Sequence, residues 1–170
     1  VDSAFGTGQT NQTPCPAGTY NPITGSASSS DCITADSGHY VDSSLGTGQP
    51  NQTPCSSGSY NSNTGSTSPS ACVNADAGYY VPASGLSIQT ECPSGTFQAV
   101  TGQTSCEDAD AGYYVDSSLG TGQTSQTPCP AGKYNPSPGS TNVVDCIDAD
   151  SGHYVDSSLG PGQTNQTPCS

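Results

Sequence analysis

The chain has 170 residues, but only 29% of them are apolar, and it contains no Met or Trp, two Phe, 21 Gly and 14 Pro. This composition cannot fill the core of an ordinary enzyme domain, so we predict that the chain is not an enzyme. Lys133 is the single basic residue against 14 acids, and the formal net charge of −13 excludes nucleic acids and anionic membranes as partners. No apolar run approaches the roughly 20 residues of a membrane-spanning helix, so we predict no membrane segment.

A repeat of about 40 residues begins at the first residue of the sequence. The stretch VDSAFGTGQTNQTPC starts at Val1 and returns, with small changes, at Val41, Val115 and Val155. Natural repeat arrays usually finish with a divergent capping unit, so we expect these residues to be a window from a longer array. The predicted units are 1–40, 41–80, a shortened 81–114, 115–154 and a partial 155–170.

Each unit divides into half-units of about 20 residues, and each half-unit carries an aromatic residue two positions after a glycine. Gly and Pro interrupt every helical pattern, and the β-prone pieces are short and bounded by turn residues. We therefore predict a small disulfide-rich all-β fold, an extended tandem-repeat rod of short β-hairpins with essentially no helix. The aromatic residues would form a ladder at Tyr20, Tyr40, Tyr60, Tyr80, Phe97, Tyr114, Tyr134 and Tyr154.

Nine cysteines recur at regular spacings and point to disulfides that replace buried core area, hence to a secreted or cell-surface protein. They are Cys15, Cys32, Cys55, Cys72, Cys92, Cys106, Cys129, Cys146 and Cys169. Two pairing schemes fit these spacings. One closes the shorter loops, beginning with Cys15–Cys32, and the other joins each second cysteine forward, beginning with Cys32–Cys55. Spacing alone does not choose between the two.

CPAGTYNPITGSASSSDC at 15–32 and CPAGKYNPSPGSTNVVDC at 129–146 carry the pattern C-x-x-G-x-Y…G…C. In this pattern the chain resembles the cysteine-rich repeats of ephrin-receptor-like and tumour-necrosis-factor-receptor-like extracellular proteins. In the alternate half-units the family's two cysteines fall on Ala35, Ala75, Ala109 and Ala149 and on Gln52, Gln89, Gln126 and Gln166. Joint loss implies that those two cysteines were bonded to each other, so the resemblance favours the first pairing scheme. Cys169 would then pair beyond the sequence given.

The stretch DADAGYYVD, from Asp108 to Asp116, begins like a calcium loop, but Leu119 stands where an EF-hand needs its bidentate acid. Its Asp110 recurs in every complete unit two residues before the turn glycine, which predicts an Asx-turn. We predict no cofactor. Weak calcium bridging by these acids is the alternative, because the charge of −13 is uncompensated.

The two histidines, His39 and His153, stand where other units have a Tyr. They are far apart in sequence and no cysteine is free to join them, so a surface substitution is favoured over metal ligation. The serines and histidines form no organised triad motif, so we predict no catalytic residue.

Asn-Gln-Thr sequons at Asn11, Asn51 and Asn165 are candidate N-glycosylation sites. A Pro follows each sequon directly, which lowers the expected occupancy. The Ser/Thr clusters are either O-glycosylated or plain turn-forming loops, and the sequence does not separate these two interpretations.

The near-verbatim copies favour a structural role, because a binding face usually needs one unit to differ from its neighbours. We expect an extracellular fibre, stalk or sheath, with the chain itself as partner in adjacent repeats and in a homopolymer, and with covalent glycans. The family resemblance implies the second hypothesis, a repeat region of a cell-surface adhesin or receptor ectodomain that acts as a binding module or spacer.

Overall fold

The computed structural model describes residues 11–170, which form eight separate two-stranded antiparallel hairpins and no α-helix. The predicted all-β, disulfide-rich hairpin architecture is therefore confirmed. In chain order the strands are β1 Thr19–Tyr20, β2 Ile33–Thr34, β3 His39–Tyr40, β4 Thr53–Pro54, β5 Ser59–Tyr60, β6 Val73–Asn74, β7 Tyr79–Tyr80, β8 Thr90–Glu91, β9 Thr96–Phe97, β10 Glu107–Asp108, β11 Tyr113–Tyr114, β12 Thr127–Pro128, β13 Lys133–Tyr134, β14 Ile147–Asp148, β15 His153–Tyr154 and β16 Thr167–Pro168.

Each hairpin pairs consecutive strands, and its register follows from the glycine-containing turn before the first strand. In the first hairpin the Thr19 N–H donates to the Pro16 carbonyl oxygen at 3.1 Å, which closes the turn around Gly18. The ladder aromatic then lies opposite the first residue of the second strand, as Tyr20 does opposite Ile33. The same register recurs in every hairpin because turn, aromatic and second strand keep their order.

Short 3-10 turns interrupt the loops between paired strands, at Ser29–Asp31, Ser43–Leu45, Pro69–Ala71, Ser117–Leu119, Val143–Asp145 and Ser157–Leu159. An Asp, Ser or Asn side chain caps each of them, as Asp42 does by accepting from the Ser44 N–H at 2.9 Å. The shortened repeat, 81–114, has none of these turns. The residues missing from the shortened repeat therefore remove the 3-10 turns, and the strands are retained.

Apart from Phe97, the buried apolar residues are small and lie around the turns and disulfides. The ladder aromatics are half-buried for the most part, from Phe97 at 8% exposure to Tyr154 at 46%. The buried apolar residues are Cys15, Ala35, Val41, Cys55, Ala75, Val81, Cys92, Phe97, Ala109, Val115, Cys129, Cys146 and Val155.

The chain divides into two compact units, each with its own hairpins. The first unit holds the described residues up to Ala75 together with Val81–Gln89, and the second holds Asp76–Tyr80 and Thr90–Ser170. The first contains β1 to β6 and the second contains β7 to β16. The five sequence repeats with their stated boundaries stay a prediction.

Candidate functional site: the contacts between successive hairpins

Four disulfides close every second hairpin, and they follow the first of the two pairing schemes. They join Cys15 to Cys32, Cys55 to Cys72, Cys92 to Cys106 and Cys129 to Cys146. Their Cα–Cα separations are 5.5 to 5.6 Å, within the usual range for a disulfide. We call these four the disulfide hairpins and the other four the cystine-free hairpins. Cys169 is an exposed thiol in the described part of the chain, and its expected partner stays a prediction.

An Asp–Gln pair closes three of the cystine-free hairpins, and its Asp directly follows the alanine that stands where the resemblance places the opening cysteine. The Gln52 amide Nε2 donates to Asp36 Oδ2 at 2.6 Å, and the Asp36 N–H donates to Gln52 Oε1 at 2.7 Å. The pairs Asp110–Gln126 and Asp150–Gln166 have the same two bonds, at 2.5 to 2.7 Å. Two hydrogen bonds thus link chain segments 16 residues apart where the disulfide is missing.

The Asp–Gln pair differs from the Asx-turn that the sequence suggested. The Asp36 carboxylate accepts from Gln52, and the Gly38 N–H, which an Asx-turn would use, donates to the Asn61 carbonyl oxygen at 2.6 Å. A carboxamide at a separation of 16 residues satisfies both the backbone N–H and the carboxylate of Asp36, which a local turn does not. The recurring spacing of 16 between Asp and Gln was the sequence signal for this pair.

A buried asparagine joins neighbouring hairpins in the first unit. Asn61 is only 1% exposed. Its Nδ2 donates to the His39 carbonyl oxygen in β3 and to Ser66 Oγ in its own loop, both at 2.9 Å. Its carbonyl oxygen accepts from the Gly38 N–H, and its N–H donates to the Leu86 carbonyl oxygen at 3.2 Å. One residue therefore fixes its hairpin against the preceding turn and the following loop.

The second unit repeats this arrangement at Asn135, which is 3% exposed. Its N–H donates to the Gln163 carbonyl oxygen at 3.0 Å, its carbonyl oxygen accepts from the Gly112 N–H at 2.8 Å, and its Nδ2 donates to Ser140 Oγ at 2.5 Å. In the shortened repeat Gln98, also 3% exposed, takes the place of the asparagine.

The residue directly after the ladder aromatic therefore determines whether a hairpin contacts its neighbours through a polar amide or through an apolar valine. Amide side chains there make polar bonds, and valines there pack in the core. This alternation is visible in the repeats, but it was not among our predictions. The residues are Asn21, Asn61, Gln98 and Asn135 in the disulfide hairpins, and Val41, Val81, Val115 and Val155 in the cystine-free hairpins.

Backbone hydrogen bonds connect each cystine-free hairpin to the disulfide hairpin that follows it within a unit. In the first unit the Val41 N–H donates to the Ser66 carbonyl oxygen at 2.9 Å, and the Gly65 N–H donates to the Ala35 carbonyl oxygen at 2.7 Å. The second unit has the equivalent pairs Val115–Ser140 and Gly139–Ala109, at 2.9 and 2.7 Å. The interface is therefore directional and recurs from repeat to repeat, and adjacent repeats pack against each other.

The turn glycines bring hairpins that are two steps apart into close contact. Gly38 has a φ of 81°, and a Cβ atom there would collide with the carbonyl oxygen of Gly85. Gly112, at a φ of 85°, stands in the same relation to Gly162. These positions need glycine both for the positive φ and for the approach of the neighbouring backbone.

Serine hydroxyl groups donate hydrogen bonds to three half-buried aspartates. The Ser44 hydroxyl, then the Ser44 N–H, lowers the pKa of Asp42, and the equivalent serines do the same for Asp116 and Asp156. Each of these Asp side chains caps a 3-10 turn. The lowered pKa values therefore report the capping bonds, which favour the ionised form.

Glu91 in β8 accepts hydrogen bonds from two hydroxyls in the second unit, those of Thr121 and Tyr79. The Thr121 hydroxyl, then that of Tyr79, lowers the pKa of Glu91, and Glu91 in turn raises the pKa of Tyr79. The ion pair of Lys133 Nζ with Asp148 Oδ1, at 2.8 Å, joins β13 to β14. Glu91, Lys133 and Asp148 therefore each have a hydrogen-bond or ion-pair partner in the folded chain.

Residues 11–170 contain no group of three or more His, Cys, Asp or Glu side chains placed to hold a metal ion. The two histidines occupy equivalent strands, and His39 Nδ1 lies 3.2 Å from the Ser37 carbonyl oxygen and His153 Nδ1 3.4 Å from that of Ser151. Weak calcium bridging stays a prediction. The sequon residues Asn11, Asn51 and Asn165 are all exposed.

No protein-family model matches the chain, and no curated protein matches it. The structure shows a tandem array of disulfide-stapled β-hairpins. Several disulfides in one small chain indicate an oxidising environment and hence an extracellular or secreted protein. Across 11–170, no helical segment has the length and apolar character needed to cross a bilayer.

Proposed function

We propose that this chain is a structural protein and not an enzyme, and that its stacked hairpins form part of an extracellular fibre, stalk or sheath. The observation that carries the proposal is the recurrence of the same inter-hairpin bonds in both compact units. Each hairpin forms backbone hydrogen bonds with the hairpin that follows it. That hairpin then presents an equivalent surface to its own successor. Such an interface adds length by repetition, as in other solenoid-like arrays.

The energetics of the hairpins support this role. A hairpin of two two-residue strands is not stable alone in water, so each one depends on its neighbours. Each disulfide, which spans 14 to 17 residues, contributes about 3 kcal/mol on the chain-entropy estimate. Covalent closure of alternate hairpins thus strengthens an array that has little buried apolar surface.

The surface charge also supports a spacer or fibre. Fourteen acids against one Lys leave the chain strongly negative, which favours solubility and disfavours non-specific association. The likeness to ephrin-receptor-like and tumour-necrosis-factor-receptor-like repeats is compatible with an extracellular array. Within this proposal, homopolymer formation would extend the stacking from repeats within one chain to repeats of neighbouring chains.

Concatenated variants test the proposal. Chains with one, two and three copies of residues 41–154 would be purified without reduction and measured by small-angle X-ray scattering and electron microscopy. We expect the maximum dimension to grow by a constant step per copy while the cross-section stays constant. Globular particles, whose radius of gyration would grow only as about the 0.38 power of chain length, would contradict the structural role.

A second candidate function is a binding module in an adhesin or receptor ectodomain. One disulfide hairpin departs from its copies by exposing Val143 and Val144, at 41% and 76%, where the first has Ser29 and Ser30. If this apolar spot binds a partner, the double change V143S/V144S should reduce adhesion of chain-coated beads to cells and leave the particle dimensions unchanged. The structural role predicts no change in either quantity.

A further inference from the structure

The sequon at Asn51 overlaps the Asp–Gln pair of its hairpin. Its middle residue, Gln52, is bonded to Asp36 through both amide atoms, at 2.6 and 2.7 Å. The flanking residues Asn51 and Thr53 are exposed. In an extended backbone alternate side chains point to opposite sides, so the side chain that closes the hairpin turns inward and the other two turn toward solvent together.

The last cystine-free hairpin has the same arrangement. Gln166 bonds to Asp150 at 2.5 and 2.7 Å, while Asn165 and Thr167 are exposed. The Asn165 Nδ2 donates to the hydroxyl of the adjacent Thr164 at 3.2 Å, a local bond at the surface. Both parts of the sequon that N-glycosylation requires, the amide and the hydroxyl, are therefore accessible without disturbing the closing pair.

Two asparagines outside the sequons have the opposite environment. Asn61 and Asn135 are 1% and 3% exposed, and their amides bond across hairpins. A sugar on either amide would displace a neighbouring hairpin. The fold thus sorts asparagines into those that hold hairpins together and those that can carry a large substituent.

We propose that Asn51 and Asn165 are N-glycosylated, so that cystine-free hairpins carry the oligosaccharides. In this transfer the amide Nδ2 bonds to the anomeric carbon of an oligosaccharide attached to a polyprenyl pyrophosphate. The anomeric C–O bond to phosphate breaks, the polyprenyl pyrophosphate leaves with the electron pair, and one amide proton is released to solvent, so no oxidation occurs. Asn11 carries the same sequon, but the beginning of its half-unit lies outside the described residues, and its modification stays a prediction.

Secretion of the full 170-residue chain from a eukaryotic host tests the assignment. Peptide N-glycosidase leaves Asp where a glycosylated Asn stood, and peptide mapping without reduction reads these positions and the disulfides together. We expect conversion at Asn51 and Asn165 in molecules that contain all four disulfides. Unmodified Asn51 and Asn165 in disulfide-bonded chains, from cells that glycosylate a reporter protein, would overturn the proposal.

The chain provides a matched gain-of-site variant. Ser125, Gln126 and Thr127 repeat the sequon geometry with Ser in place of Asn, and Gln126 makes the same two bonds to Asp110. The change Ser125→Asn should add one glycosylated position and leave the thermal unfolding midpoint of the deglycosylated chain unchanged. Absence of the added glycan, with the disulfides intact, would show that this surface is not accessible to the transferase.

A second variant tests the sorting by burial. The change Asn63→Thr creates an Asn-Ser-Thr sequon that begins at the buried Asn61. We expect that secreted, fully disulfide-bonded chains carry no sugar on Asn61, because the modified amide could not bond to the His39 carbonyl oxygen. Efficient glycosylation of Asn61 with an unchanged unfolding midpoint would show that exposure in the fold does not select the sites.

Discussion

At the scale of single residues, Gly112 and Gly152 occupy the same turn position in two cystine-free hairpins, with φ of 85° and 79°. They differ in what lies beyond the turn. A Cβ atom on Gly112 would collide with the carbonyl oxygen of Gly162, whereas no described residue lies within 4 Å of a Cβ atom on Gly152. This pair separates the conformational cost of a positive φ from the cost of blocking a neighbouring hairpin.

We expect Gly152→Ala to lower the free energy of unfolding by about 1 kcal/mol, the cost of an alanine in the left-handed region. Gly112→Ala should cost clearly more, because alanine adds the steric clash to that strain. Urea titration of the oxidised chains, followed by tyrosine fluorescence, measures both. Equal losses for the two variants would show that the close approach between hairpins contributes nothing.

The capping aspartates at the 3-10 turns predict how stability depends on pH. In the folded chain the pKa of Asp116 is lowered below its ordinary value of 3.8, first by the Ser118 hydroxyl and then by the Ser118 N–H. A lowered folded-state pKa stabilises the fold above the unfolded pKa, and this contribution is lost as the pH falls through the folded pKa. Stability should therefore be level from pH 7 to about 5 and decline below about 4.

Asp116→Asn isolates the titration from the cap, because Asn caps a turn about as well as Asp but does not ionise in this range. We expect a smaller decline of the urea midpoint between about pH 5 and about pH 2.5 in this variant than in the parent chain. Asp108→Asn, a change at a residue of β10 outside the caps, serves as the control. An identical pH profile for parent and Asp116→Asn would contradict the capping contribution.

At the scale of the hairpin, a disulfide closes one class, and an Asp–Gln pair closes three hairpins of the other class. Ala109 precedes its turn glycine by the same number of residues as Cys129 does in the next hairpin. Gln126 directly precedes its second strand, as Cys146 does. The Cys129 N–H and the Ala35 N–H both donate to a turn-glycine carbonyl oxygen, at 2.8 and 2.9 Å. The backbones of the two hairpin classes are therefore interchangeable at this point.

The double change A109C/Q126C should form a fifth intramolecular disulfide. For a loop of about 15 residues we expect a gain of about 3 kcal/mol on the chain-entropy model. Titration of free thiols in denaturant should show only the thiol of Cys169, and the urea midpoint should rise. A109S/Q126S, which removes the Asp–Gln pair without adding a bond, should lower the midpoint. Two additional free thiols in the cysteine variant would contradict the equivalence.

At the scale of the whole molecule, the charge of −13 makes repulsion among exposed carboxylates a general term in stability. Salt screens such repulsion. We expect the thermal unfolding midpoint to rise with ionic strength and to be the same in calcium and in magnesium at equal ionic strength. A larger rise in calcium than in magnesium, reversed by a chelator, would show the specific bridging that the sequence left open.

Much of the fold could be predicted because its signals are local and repeated. The period, the turn glycines and the short β-prone pieces indicated hairpins, and the resemblance to cysteine-rich receptor-like repeats, in which the two missing cysteines would pair, implied the disulfide scheme. The function of Gln52 and Asn61 could not be read in the same way. Each makes bonds to residues 16 to 22 positions away, and composition alone gives polar loop residues no preferred partner.

By itself, the amino-acid sequence determined the hairpin as the building unit, the alternation of two hairpin classes and the scarcity of core residues. Only the tertiary structure decided which polar groups close the cystine-free hairpins and that small residues are buried, whereas Phe97 is the one buried aromatic of the ladder in the described residues. It also decided that turn glycines contact backbone two hairpins further along. The physical reason is the sequence separation of the interacting residues. Turns and strands depend on residues close in sequence, whereas burial and hydrogen-bond partners depend on how separate hairpins pack together.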